Sequence, residues 1–323
     1  MAKRLEQKLA QISTLRKGEP NAAAIKMLES ILAKSEGAAV ARVADLVVEW
    51  GLFELQPALA KAFERLVYGG RNIDPQCWGK VALVRALQAL GWHDPEIFRL
   101  GCRCVQMEPV WGGQEDSAPA LRAQSALALS GCPGITYDQA INELVRLLVD
   151  PAWNVRVAAT QAIANLGYPQ GAPLLRLRAL LGDAEPRVIG ACLEGLLHLS
   201  QIEAVPFIQE FFNHPDMAIR LEAHCVLATS SLPEAVGLAI AELETLTNPR
   251  ARKAVMAALA SSSSPSALDF LLGLLSSGSR SKALAALEVL HPRLQQREFY
   301  ERTLAAITQN PDSSLRALLE SHL

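Results

Sequence analysis

The stretch Asp150-Pro151-Ala152-Trp153-Asn154-Val155-Arg156-Val157-Ala158-Ala159-Thr160-Gln161-Ala162-Ile163-Ala164-Asn165-Leu166-Gly167 decides the fold, because most of the chain rewrites it at a period just over thirty residues. It reads as one capped amphipathic helix. Asp150 is placed to accept from the first free backbone N–H groups, and Pro151 opens the helix where its missing N–H costs nothing. Val155, Ala159, Ala162, Ile163 and Leu166 recur at spacings of three and four, which predicts a single apolar stripe. Gly167 supplies the left-handed residue that ends it. The stripe is narrow and rich in alanine, so neighbouring helices can approach closely on both flanks.

A capping residue followed six positions later by a cation recurs at Asp74/Lys80, Asp116/Arg122, Asp150/Arg156, His214/Arg220 and Asn310/Arg316. Asp183 and Asn248 stand at the expected cap positions, with Arg187 and Arg252 near the place of the cation. Caps at 116, 150, 183, 214 and 248 are 34, 33, 31 and 34 apart, and 248 to 310 is two further periods of 31. The unmarked member falls near Ser277-Gly278. Before each cap lies another amphipathic helix, at 140–148, 173–181, 204–212 and 233–246. Each repeat is therefore helix, turn, helix, and one such hairpin cannot bury its apolar face alone, so neighbours must stack. Toward the N-terminus, 1–18 reads as a polar terminal helix, followed by helices over 20–34, 38–50, 54–68 and 75–90.

The leucine-rich first helix, Asp-Pro turn, Val-Arg pair, alanine-rich second helix and Leu-Gly ending resemble HEAT repeats, specifically the short HEAT-like repeats of the phycobilisome-lyase type. The resemblance covers residue 74 to the end well and 20–73 loosely. It implies an all-α fold, a right-handed α-solenoid of about eight stacked helical hairpins with the second helices lining its concave side. The whole of 1–323 is then one solenoid, with an N-terminal cap and irregular repeats over 1–73 and regular HEAT-like repeats over 74–323. It also implies that Asp116, Arg122, Asp150, Arg156, Arg220 and Arg316 form a structural ladder along the turns, in which the Asp of one unit meets the Arg of the same or next unit.

Half of the residues are apolar and only 5% aromatic, which suits a layered helical core better than a β-sandwich. No apolar run approaches the ~18–20 residues needed to cross a bilayer, and the first residues lack a secretory hydrophobic segment, so a cytoplasmic protein with no membrane partner is expected. In that compartment Cys77, Cys102, Cys104, Cys132, Cys192 and Cys225 are expected to be small buried hydrophobes. Cys102 and Cys104 point to different faces of a helix, a poor start for a tetrahedral metal site. The formal net charge is −2. Residues 1–107 carry 15 Lys and Arg against 11 Asp and Glu, and 108–323 carry 16 against 22, which argues against a nucleic-acid partner gripped along the chain.

No phosphate loop, zinc-protease helix, nucleophile elbow or paired-carboxylate motif is present. The expected function is a non-catalytic protein-binding scaffold or adaptor that uses the concave face of the solenoid, with another protein as partner and without a cofactor, metal or catalytic residue. The candidate contact residues are Trp111, Trp153, Thr160, Asn165, Glu194, His198 and His224. His198 and His224 fall off the apolar stripe and read as solvated. Trp111 lies in the insertion Glu108-Pro109-Val110-Trp111-Gly112-Gly113-Gln114-Glu115-Asp116, which stretches the step from 74 to 116 to 42 residues. It reads either as a loop folded back on the core or as a binding loop with an aromatic anchor. The resemblance adds two alternatives, a phycobilin lyase-type enzyme acting on tetrapyrrole-carrying proteins and a HEAT-like DNA glycosylase.

Overall fold

A computed structural model describes residues 2–312 and 314–321. The chain forms two compact units, Met1–Arg178 and Ala179–Leu323. The first contains α1 (Ala2–Leu15), α2 (Ala22–Lys34), α3 (Gly37–Glu49), α4 (Gln56–Gly69), α5 (Trp78–Ala89) and α6 (Glu96–Cys102). Strands β1 (Met107–Val110) and β2 (Gly113–Asp116) follow, then α7 (Pro119–Ser130), α8 (Tyr137–Leu147), α9 (Trp153–Asn165) and α10 (Ala172–Leu180), within which the boundary falls. The second unit contains α11 (Pro186–Ser200), α12 (Val205–Glu210), α13 (Met217–Thr229), α14 (Pro233–Leu243), α15 (Pro249–Ser261), α16 (Pro265–Ser277), α17 (Arg280–Leu290), α18 (Arg297–Thr308) and α19 (Ser314–Ser321).

The fold is an all-α solenoid of stacked helical hairpins, as the sequence period requires. In the first unit the second helices α3, α5, α7 and α9 pack in succession as one layer, and α2, α4, α6 and α8 form the other. In the second unit α11, α13, α15, α17 and α19 succeed one another in the same way, faced by α12, α14, α16 and α18. The core lies between layers and is mainly Leu, Ala and Val, with Val155, Ala159, Ala162 and Ile163 of α9 fully buried. Gly167 takes φ +73 and ends that hairpin's second helix as expected. The unmarked turn near 277 separates α16 from α17.

At α9 the cap sits two residues beyond its predicted place. α9 begins at Trp153 with Ala152 as its N-cap, while Asp150 Oδ1 accepts from Ala152 N at 2.9 Å. Asp150 thus closes an Asx turn that leads into the helix, and Pro151 lies in that turn. The same bond from residue i+2 recurs at Asp116 (3.0 Å from Ala118 N), Asp183 (2.9 Å from Glu185 N), His214 (Nδ1, 3.1 Å from Asp216 N) and Asn310 (2.9 Å from Asp312 N). Asn248 is a direct N-cap, accepting from Arg250 N at 2.9 Å and Ala251 N at 3.4 Å.

Two features depart from expectation. The stretch Pro186–Asn213 is long and apolar enough to cross a membrane by length and composition, where the sequence reading found no such run. The chain breaks there at Gln201, φ +49, and 61% of its most apolar window is buried, which core packing between helical layers explains. The second is the insertion before α7. No strand was expected between 74 and 323, yet β1 and β2 pair antiparallel with Met107 opposite Asp116, Glu108 opposite Glu115, Pro109 opposite Gln114 and Val110 opposite Gly113.

Candidate functional site

The hairpin is built on a polar cradle laid down by the preceding repeat. Gly112, at φ +87, turns the two-residue connection and leaves Trp111 at its tip wholly exposed. A lone two-stranded hairpin is marginal in water, and Pro109 cannot donate to its ladder. The fixing contacts come from Glu108, the buried residue of β1. Its Oε1 accepts from Gln76 N at 2.7 Å, Ser117 Oγ at 2.5 Å and Gln106 Nε2 at 2.7 Å, and its Oε2 accepts from Gln76 Nε2 at 3.0 Å. Gln76 and Cys77 hold φ of 59° and 56°, a strained left-handed pair whose backbone aims the Gln76 N–H at the carboxylate.

Beneath Glu108 lies a buried ion pair. Lys80 Nζ stands 3.2 Å from Asp74 Oδ2, with both side chains fully enclosed. The Asp74 carboxylate also accepts from Gly79 N at 2.8 Å and Lys80 N at 2.9 Å. Gln106 joins the layers: its Oε1 accepts from Lys80 Nζ at 2.9 Å, and its Nε2 donates to the Asp74 carbonyl at 2.9 Å. Room for this pair depends on glycine, since a Cβ on Gly37 would lie 1.9 Å from Asp74 Oδ1 and one on Gly79 would lie 2.6 Å from Gly37 Cα.

Burial pushes the Glu108 carboxyl up, but the hydrogen bonds from Ser117, Gln106 and Gln76 outweigh it and hold the pKa at about 2, below its ordinary 4.5. A carboxyl depressed in the folded state stabilises the fold above its unfolded pKa, and that contribution drains away as pH falls through the folded value. The hairpin is therefore expected to loosen between about pH 4.5 and about 2. Tryptophan fluorescence of a variant keeping only Trp111 reads the transition, and Glu108→Gln should remove it. A wild-type titration identical to that of Glu108→Gln would contradict this origin.

The far end of the hairpin is tied to the next repeat. Arg122, nearly buried at the start of α7, donates from Nη1 to Asp116 Oδ2 at 2.6 Å and to the Cys104 carbonyl at 2.9 Å. Its other edge grips Asp150, Nε to Oδ2 at 2.7 Å and Nη2 to Oδ1 at 3.0 Å. Burial opposes the Arg122 charge, but the bonds to Asp150 and Asp116 prevail and raise its pKa above the usual arginine value. Asp116, Arg122 and Asp150 thus form a ladder between successive repeats. Arg156 Nη1 and Arg220 Nη1 donate to carbonyls of their own turns, those of Asp150 and Pro151 and those of His214 and Pro215. Arg316 is exposed on α19.

The other predicted contacts separate by burial. Trp153 is partly exposed where α9 begins, three residues after the Asp150 rung, and Asn165 is exposed at the end of that helix. Glu194 and His198 are exposed on α11. Thr160 is fully buried, its Oγ1 donating to the Arg156 carbonyl at 3.0 Å, so it does not offer a contact surface. His224, read as solvated, is also buried; its ring stacks on Phe212 with centroids 4.0 Å apart. The insertion carrying Trp111 is not folded back on the core but projects as the hairpin.

Further exposed apolar residues lie on or near the hairpin. Trp78, directly after the Gln76-Cys77 kink, is exposed at the first residue of α5, and Val105, Met107 and Val110 are exposed on or beside the hairpin. Trp78, Trp111 and Trp153 therefore spring from one connected set of polar contacts, through Gln76 and Glu108 on one side and Asp116, Arg122 and Asp150 on the other. The Gly-Gly pair between two short runs was the available signal for the strands, but Met107-Glu108-Pro109-Val110 and Gln114-Glu115-Asp116 show little strand propensity. The cysteines behave as expected where buried: burial lifts the Cys77 thiol to about 11 and the Cys102 thiol to about 12.

Stacked hairpins joined by a turn ladder define an α-solenoid repeat protein. Residues 113–196 and 206–291 match the model of the HEAT repeats, together more than half of the chain, and the chain belongs to that family. Among solved structures, the complex of CpcE and CpcF of phycocyanin lyase from Nostoc sp. PCC7120 is similar at 18% identity and a TM-score of 0.40, over 75% of this chain and 89% of that one. A homology model of the full-length AP-3 complex aligns at 13% identity and a TM-score of 0.45, over 98% of this chain and 72% of that one. Kap121p bound to Nup53p aligns at 13% identity and a TM-score of 0.47, over 93% of this chain and 36% of that one. No curated protein sequence matches.

Proposed function

We propose that the protein is a non-catalytic binding scaffold that recognises another protein through the hairpin tip, with Trp111 as anchor and Trp78 and Trp153 as flanking contacts. The observation that carries this reading is a wholly exposed tryptophan on a hairpin braced by a buried carboxylate. Aromatic anchors dominate protein interfaces, and an anchor already held in place loses little conformational freedom on binding. Val105, Met107 and Val110 add apolar surface beside it, of the kind that marks an interaction site when it gathers in one element.

A photo-crosslinking residue at exposed position 110, which leaves Trp111 in place, should trap a protein in lysate of the source cells. Trp111→Ala should weaken binding of the protein so identified by at least tenfold, about the effect of one interface hot spot. The circular dichroism and thermal midpoint of Trp111→Ala should match wild type. Undiminished binding by Trp111→Ala, or crosslinks to nucleic acid alone, would overturn the reading.

A further inference from the structure

Arg122 and Arg220 hold the same place in their repeats, as do Asp150 and Asn248: Asp150 follows Arg122 by 28 residues, and Asn248 follows Arg220 by 28. Arg122 spends its Nε and Nη2 edge on the Asp150 carboxylate, at 2.7 and 3.0 Å. Arg220 donates only from Nη1, to the His214 carbonyl at 2.6 Å and the Pro215 carbonyl at 3.2 Å. Its Nε and Nη2 have no partner among the described residues. The reason is the residue opposite. Asn248 Oδ1 is occupied by the Arg250 and Ala251 amides, and its Nδ2, a donor, stands 3.9 Å from Met217 Sδ. The carboxylate that completes the rung at Asp150 is missing from this repeat.

A cleft of about 300 Å³ opens at that position, lined by Phe212, Met217, Arg220, His224, Glu242 and Asn248 with their neighbours. His224 lines the same cleft. It is only 3% exposed, its ring is stacked on Phe212, and its Nδ1 lies 2.7 Å from the Arg220 carbonyl. A carbonyl only accepts, so Nδ1 carries a proton, and in the neutral ring Nε2 is then an acceptor. That Nε2 also lacks a partner among the described residues. Glu242 contributes a carboxylate, whose Oε2 accepts from Thr245 Oγ1 at 3.2 Å.

We propose that this cleft receives an acidic residue of a partner polypeptide, its carboxylate taking the Nε and Nη2 edge of Arg220 and a backbone N–H of the same segment donating to His224 Nε2. Arg220 and His224 are four residues apart on α13 and therefore share one face, about 5–6 Å between Cβ atoms, a span that one Asp or Glu with its own amide covers. Glu242 disfavours a bare dianion or a phosphate, and it accepts a further N–H of the same segment. The proposal rests on the reading that the partner is a protein, but it concerns the second unit and not the hairpin.

Two measurements test it. In the full chain, Asn248→Asp keeps the N-cap and restores the missing carboxylate, so the melting midpoint of the second unit should rise by about 2–4 °C. An unchanged or lowered midpoint overturns the vacant rung, with or without a partner in hand. In the second measurement, acetyl-Gly-Asp-Gly-amide is titrated into ¹⁵N-labelled protein and followed at the Arg220 Nε–H resonance, identified by its absence in Arg220→Gln. The peptide should shift that resonance, acetyl-Gly-Asn-Gly-amide should not, and Asn248→Asp should abolish the response. No response to the Asp peptide, or an equal response to acetate, overturns the polypeptide ligand. Trp111→Ala should leave the titration unchanged, so failure of the hairpin reading and failure of this one are told apart.

Discussion

Lys80→Met is expected to lower the stability of the first unit by about 3–5 kcal/mol, the usual effect of leaving a buried charge without its partner. The Lys80 and Asp74 side chains have no solvent exposure, so water cannot take over the role of the ammonium. The substitution leaves the Asp74 carboxylate with two backbone amides and removes the donor from Gln106 Oε1 at 2.9 Å. Gln106 also bonds Glu108, so the loss should pass upward into the hairpin. Hydrogen exchange should therefore accelerate at the Gln76 amide, which donates to Glu108, and at the Ser117 amide, which donates to the Gln106 carbonyl. Asp74→Asn in the Lys80→Met background removes the stranded charge and should recover part of the deficit. Urea midpoints of the single and double variants decide the matter: a Lys80→Met protein within about 1 kcal/mol of wild type would show the pair to be dispensable.

The helical repeat was legible because its determinants are local and repeated. Val155, Ala159, Ala162 and Ile163 lie within one helix, and the same spacing returns along the chain, so several imperfect copies support one another. The cap of α9 lies two residues beyond Asp150 for a chemical reason. An N-cap and an Asx turn use the same side chain in the same way, accepting a backbone N–H shortly downstream, and only geometry separates Asp150, which bonds Ala152, from Asn248, which bonds the first turn of α15. Thr160 illustrates a polar residue that burial tolerates because the helix itself satisfies it, through the Arg156 carbonyl.

The site was less legible because its determinants are distant in sequence. Glu108 is surrounded by residues that predict an exposed loop, and its partners Gln76 and Ser117 lie 32 and 9 positions away. No local pattern announces that a Glu will be buried, or that Gln76 and Cys77 will adopt left-handed backbone to meet it. The burial of His224 is illegible for a related reason: the stack that encloses it comes from Phe212, outside its own helix. The insertion around Trp111 marks where the repeat is interrupted, but the interruption alone does not distinguish a collapsed loop from a braced hairpin.

The second large effect is expected at the ladder. Arg122→Met should cost the first unit about 3–5 kcal/mol, since two carboxylates then lose their cation in a nearly buried setting. Asp116 has two backbone amides to fall back on, those of Gln106 and Ala118, and Asp150 has that of Ala152. Arg122→Lys should recover less than half of the loss, because one ammonium cannot reproduce the paired Nε and Nη2 bonds to Asp150 while also reaching Asp116 and the Cys104 carbonyl. Acidity supplies an internal control. Burial pushes the Asp116 carboxyl up, but its bonds to the Gln106 and Ala118 amides and to Arg122 outweigh this and hold it below the ordinary carboxylate range. Its contribution in wild type is thus present near neutrality and lost as pH falls through the depressed folded value. The stability gap between wild type and Arg122→Met should accordingly be widest near pH 7 and shrink in acid. A gap that stays constant down to the pH where Asp116 is protonated would mean that Arg122 acts by filling space, as its buried aliphatic stem would allow, and the rung would then be a packing contact instead of an electrostatic one.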